Sequence, residues 1–259
     1  MTTTRAPQQR ANETQAASFD PKRPVAEQVL ASAQASREVV QDFCPLAESL
    51  EWELGQQYLR ERGNKAFISD ASPVPFVINN DGSLSRHAAE VFFANLTEAE
   101  KSAPLEEEIF VLELGIGVGL FARYFLDNFR DLCNKHGKDY YGRLCYIAAD
   151  RSPRMLQDVL RHGVLRQHPG RYCVRLVDAM DPARYLLGDP MFHGATGKSA
   201  CSTEKPLRAV FLNYLLDCLP AAVLEIEGKA VRQLCVRTCV GRNVRLADFT
   251  DMTVDMMRR

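Results

Sequence analysis

No apolar run in the 259 residues approaches the ~18 needed for a membrane span, so the sequence does not read as a transmembrane chain. Net charge is just as scarce. The 32 Lys and Arg residues nearly balance 33 Asp and Glu, leaving a formal charge of -1 and arguing against nucleic-acid binding by bulk electrostatics. Eight cysteines (Cys44, Cys133, Cys145, Cys173, Cys201, Cys218, Cys235, Cys239) show no paired spacing and fall mostly within apolar runs. They read as buried free thiols in a reducing compartment, not as a disulfide framework. With no C-x-x-C or H-E-x-x-H and only five scattered histidines, no dedicated metal site is expected. The first two dozen residues are polar and lack an apolar core, so no secretory signal is expected in them. They read as a disordered tail over 1–22, and the expected location is cytoplasmic. The acid-poor stretch before Glu13, with Arg5 and Arg10, weakly supports the mitochondrial matrix instead.

What remains is ordinary globular composition, 46% hydrophobic and 25% charged. Apolar residues at helical spacing in VAEQVLASAQASREVVQDF predict a helix ended by Pro45, and LAESLEWELGQQYLRERG predicts a second, stopped at Gly63. The turn signal Asn79-Asn80-Asp81-Gly82 precedes a third helix, expected to be capped by Ser85 and to run through Phe93. A charged connector, TEAEKSAPLEEE, follows. From Ile109 strands and helices alternate: IFVLELGIG, a helix, RLCYIAAD, a helix, RYCVRLVDAM, a short helical turn, then LRAVFLNYLLDCL as a strand running into a turn or helix. That rhythm argues for βαβ units around a parallel sheet. After Pro220, two strands around Glu227-Gly228-Lys229 read as a hairpin. The expected divisions are a helical N-terminal cap over 23–103, an α/β domain over 104–220, and the hairpin with a further segment over 221–259.

The segment Glu113-Leu114-Gly115-Ile116-Gly117-Val118-Gly119 carries the most chemistry. Alternating glycines between a strand and a helix permit a tight turn and close approach of a ligand to backbone N–H groups. The spacing departs from the dinucleotide fingerprint G-x-G-x-x-G, because position 120 is Leu. The second strand ends in Asp150, able to accept hydrogen bonds from vicinal ribose hydroxyls or to cap the next helix. The third ends in Asp178-Ala179, a ligand contact or a solvated loop acid. Three strands each ending in an acid fit the rule that ligands lie outside the carboxyl ends of such strands.

E-x-G-x-G-x-G followed by these acids resembles the class I S-adenosylmethionine-dependent methyltransferases, over about residues 105–220. The resemblance implies a doubly wound, mostly parallel α/β sheet and S-adenosyl-L-methionine as cofactor. Its cofactor contacts would be Glu113, Gly115, Gly117, Gly119, Asp150, Asp178, Ala179 and Asn213. The stretch Asn213-Tyr214-Leu215-Leu216-Asp217-Cys218-Leu219-Pro220 is similar to the N-E-x-x-D-x-L-P element of the MidA-like protein arginine methyltransferases, with Tyr214 in place of the glutamate. It makes Asn213, Tyr214 and Asp217 the candidate catalytic residues, with a protein side chain or a small molecule as acceptor. The alternative is a catalytically inactive scaffold that acts through protein partners. Only 39 residues follow Pro220, too few for the family's remaining strands. A C-terminally incomplete sheet and self-association through its exposed edge are therefore expected.

Overall fold

The computed structural model describes residues 37–68, 81–182 and 206–241. Strand β1 (Arg37–Pro45) leads through a 3-10 turn (Leu46–Glu48) into helix α1 (Leu50–Arg62) and the single-turn helix α2 (Lys65–Ile68). Helix α3 (Ser83–Ser102), strand β2 (Ile109–Leu114), helices α4 (Leu120–His136) and α5 (Tyr140–Arg143), and strand β3 (Leu144–Asp150) follow. Next are helix α6 (Pro153–His162), strands β4 (Tyr172–Leu176) and β5 (Leu207–Phe211), and a second 3-10 turn (Leu216–Cys218). The last strands are β6 (Leu224–Glu227), β7 (Ala230–Gln233) and β8 (Cys235–Gly241). The chain divides into two compact units, Trp52–Ala221 and the pair Met1–Glu51 with Ala222–Arg259.

In the first unit, four parallel strands are ordered β4-β3-β2-β5. Every residue of β2 is buried, because it lies between β3 and β5 and feeds a core on each face. Ile109 and Val111 join one core, with Ala89, Phe92 and Leu96 of α3, Phe125 and Phe129 of α4, and Leu156 and Val159 of α6. The Phe125 ring lies 5.8 Å from Phe129 and 5.5 Å from Tyr146, between centroids. Phe110, Leu112 and Leu114 face the other way, with Ile147, Ala149 and Val177. Helix α6 has local start and stop signals: Ser152 Oγ accepts from Met155 N at 3.2 Å, Pro153 opens the first turn, and Gly163 ends it in the left-handed conformation. The structure is thus α/β with a parallel sheet and three helices on one face, compatible with a Rossmann-like fold. A doubly wound sheet also needs helices on the opposite face, and residues 183–205, between β4 and β5, lie outside the described residues. Strand order reverses between β3 and β5 on the two sides of β2, which creates the crevice where open α/β sheets bind ligands.

The second unit departs from the expected helical cap. Residues 37–45 form a strand, antiparallel to β8 from Arg37↔Gly241 to Pro45↔Cys235. The β-branched pair Val39-Val40 and the partner run Val236 to Val240 favour an extended ribbon over the helix suggested by spacing. Residues 25–36 of the expected helix lie outside the described residues, as do the tail and the segment after Gly241. The hairpin forms with Gly228-Lys229 as its two-residue loop and pairs Leu224↔Gln233 to Glu227↔Ala230. It ends sooner than expected, since Cys235 onward belongs to β8.

Further corrections are local. Helix α3 starts at Ser83, where Asp81 Oδ1 accepts from the backbone N (2.9 Å) and Oγ (2.8 Å), so Ser85 is a buried helical residue and not the cap. The same helix continues to Ser102 and absorbs half of the expected charged connector. The described cysteines are free thiols, but only Cys133 is fully buried and Cys235 is exposed, where buried thiols were expected. Among the described residues β5 is an edge strand, and β6 and β7 pair only with each other. No helix of the described residues is long and apolar enough to cross a membrane.

Candidate functional site

The crevice is built from the turn after β2. Gly115 and Ile116 both donate their backbone N–H to Ala149 O, at 2.8 and 3.0 Å, which fastens the turn to the end of β3. Gly115, Gly117 and Gly119 have φ of 75°, 52° and 81°, a region that disfavours residues with a Cβ. Their surroundings separate their roles. A Cβ on Gly117 would meet nothing within 4 Å, so this glycine borders open space. A Cβ on Gly115 would lie 3.1 Å from Leu215, which packs over the turn. A Cβ on Gly119 would lie 3.4 Å from Val164 and 3.6 Å from Val159, so this glycine serves the packing of α4 on α6.

Asp150, at the end of β3, faces the same turn. Its Oδ2 accepts from Gly117 N at 3.4 Å and its Oδ1 from Ser152 N at 2.8 Å. Burial pushes its carboxyl up to about 6, and backbone N–H groups of Ser152, Gly117 and Arg151 are the groups that pull it back. Asp178, at the end of β4, accepts from Met180 N at 3.0 Å and pairs with Arg151 Nε at 3.4 Å. Beyond β5, Tyr214 has φ 49°, a left-handed backbone in a bulky residue, and its side chain is exposed.

A cavity of about 130 Å³ lies among these groups and is lined by Gly115, Gly117, Asp150, Asp178, Ala179 and Tyr214. The structure therefore brings six of the expected site residues together. Glu113 lies elsewhere: it shares the face of β2 with Ile109 and Val111, buried, with Tyr146 Oη donating to its Oε2 at 2.8 Å. Burial pushes its carboxyl up to about 8, with the Asp150 charge adding to the rise. Half-buried Asn213, exposed Asp217 and Gly119 do not line the cavity.

The wall that sequence reasoning missed is Gln56, Leu59 and Arg60 of α1 with Phe67 of α2. Two long-range bonds set it in place. Gln56 Nε2 donates to Cys218 O at 2.7 Å, and Ser152 Oγ donates to Arg60 O at 2.9 Å. Nothing local in α1 signals this wall; the polar Gln56 on a helix expected to be packed was the one available hint. Cys218 also lines the cavity, but burial and then the Asp217 and Asp150 charges raise its thiol, which disfavours the nucleophilic thiolate.

In chemical terms the site offers a carboxylate for hydroxyl donors, a glycine turn with room in front of it, and a wall that is apolar at Leu59 and Phe67 and polar at Gln56 and Arg60. Its volume is below the ~300 Å³ at which pockets begin to enclose drug-sized ligands, so a nucleoside would be only partly enclosed. No protein-family model, curated protein or solved structure matches the chain.

Proposed function

We propose that this chain is an S-adenosylmethionine-dependent methyltransferase whose acceptor is a protein side chain or a small molecule. The observation that carries the reading is Asp150: a partly buried carboxylate at the switch point, beside the open space of Gly117 and held by backbone N–H groups. Keeping such a group ionised costs stability, and vicinal ribose hydroxyls would compensate it with charge-assisted hydrogen bonds. The residues fit the cofactor in three respects. Gly117 leaves space at the turn, Asp150 can take the ribose, and Asp178 with the Ala179 backbone can meet the adenine edge. When bound, the cofactor supplies an activated methyl on a sulfonium that is already a good leaving group. The protein's share is then positioning and water exclusion, here by Leu215, Leu59 and Phe67 around the turn.

The MidA-like resemblance of residues 213–220 supports a protein acceptor, with Tyr214 and Leu219 as the motif positions that border the cavity. Calorimetric titration with S-adenosylmethionine tests the cofactor assignment, and transfer of a labelled methyl to lysate proteins tests the activity. Micromolar binding with transfer supports an enzyme; absence of binding refutes the proposal. A second reading, an inactive scaffold that keeps the cofactor, is favoured by one observation: Asn213 and Asp217 stand outside the cavity. Binding without transfer to any acceptor would select it.

A further inference from the structure

We infer that Arg60 is the oxyanion-binding residue of this pocket, gripping a carboxylate or phosphate of the ligand whose ribose Asp150 holds. The inference rests on the nucleoside reading above. Five arginines surround the junction of α1 and α6, and four are already engaged. Arg151 pairs with Asp178, Arg154 and Arg161 share Asp158 at 3.8 and 2.9 Å, and Arg62 stacks over the Tyr58 ring at 5.0 Å. Arg60 is exposed at the rim of the cavity, which it helps to line, and among the described residues its guanidinium has no hydrogen bond or ion pair. Its backbone is nevertheless fixed, since Arg60 O accepts from Ser152 Oγ, two residues after Asp150. Nor is Arg60 the counter-ion of Asp150, whose charge is stabilised by backbone N–H groups.

The pocket is thus bipolar, with a carboxylate suited to hydroxyl donors and a cation whose planar fork suits a two-oxygen anion. A ligand complementary to both carries a ribose and an oxyanion. The amino-acid carboxylate of S-adenosylmethionine and the phosphate of a nucleotide share that chemistry, and the experiment separates them.

The full chain and Arg60→Gln are titrated calorimetrically with adenosine, adenosine 5′-monophosphate, S-adenosylmethionine and its decarboxylated analogue. The expected result is that Arg60→Gln weakens one anion-bearing ligand by about tenfold or more while adenosine changes by less than about twofold. Loss for S-adenosylmethionine but not for its decarboxylated analogue identifies the carboxylate; loss for the monophosphate identifies the phosphate. Arg60→Lys, which keeps the charge but not the fork, should recover part of the affinity. Thermal unfolding of both variants checks that the fold is intact. Equal losses for adenosine and the anionic ligands, or no loss for any, overturn the role of Arg60 while leaving nucleoside binding standing. Failure of all four ligands to bind the unaltered chain overturns both.

Discussion

Replacing Asp150 by Asn should stabilise the protein at neutral pH while weakening its ligand. The carboxyl is held at about 6, against an ordinary 3.8, because folding removes it from water. That displacement corresponds to a ceiling of ~3 kcal/mol against the ionised form, and partial solvent access reduces it to about 1–2 kcal/mol. The sign follows from proton linkage. Between the two values the folded state binds a proton that the unfolded state has released, so stability falls as pH rises through this window and is level above it. Asparagine does not titrate, and its carbonyl oxygen can still accept from Ser152 N, now 2.8 Å from Asp150 Oδ1, while its NH2 gives up only the long 3.4 Å bond from Gly117 N. Urea unfolding should therefore find Asp150→Asn more stable than the unaltered chain by about 1–2 kcal/mol above about pH 7, with the advantage gone near about pH 4. Calorimetry should show the opposite for function, with S-adenosylmethionine bound ~10–100-fold more weakly for lack of charge-assisted bonds to the ribose. An equal loss of stability at both pH values, with binding unchanged, would make Asp150 a helix-capping residue and refute the reasoning.

Other outcomes test separate parts of the structure. Gly117→Val should remain folded, losing ~2 kcal/mol to its left-handed backbone in thermal or urea unfolding, yet lose binding of the proposed S-adenosylmethionine because the side chain enters the open space before the turn. Gly119→Val, at φ 81° and against Val159 and Val164, should unfold at distinctly lower urea than Gly117→Val. Glu113→Gln should be more stable than the unaltered chain above about pH 8, because the native carboxyl is raised from 4.5 to about 8 and stability is lost as pH rises between those values; flat pH dependence in the unaltered chain over that range would contradict this. Phe125→Ala, deep in the core beneath β2, should cost ~3–5 kcal/mol in chemical denaturation, and a loss under ~1 kcal/mol would show that α4 is not packed as described.

The parts legible in the sequence are those written over a few consecutive residues. A continuous apolar strand, alternating glycines and a helix start predict β2, its turn and α4 without reference to anything distant. Asp150 and Asp178 were recognisable because a strand's end and the following helix or turn are local features. The hairpin loop at Gly228-Lys229 was legible in the same way. Glu113 shows a local signal that was available but outweighed by the motif: its alternation with Ile109 and Val111 places it on the helix-covered face, away from the cavity.

Tertiary structure alone decided the rest. Residues 37–45 carry a spacing compatible with a helix, and their strand state depends on β8, some 190 residues later, which supplies the ladder that the segment cannot supply itself. The wall of Gln56, Leu59, Arg60 and Phe67 is likewise fixed by bonds to Cys218 and Ser152, roughly a hundred or more residues away. Local propensity and periodicity set which segments extend or coil, because those preferences act over a single turn or pleat. Which helix closes a crevice, and which charge in it is left without a partner, depends on contacts between distant segments that exist only once the chain has folded.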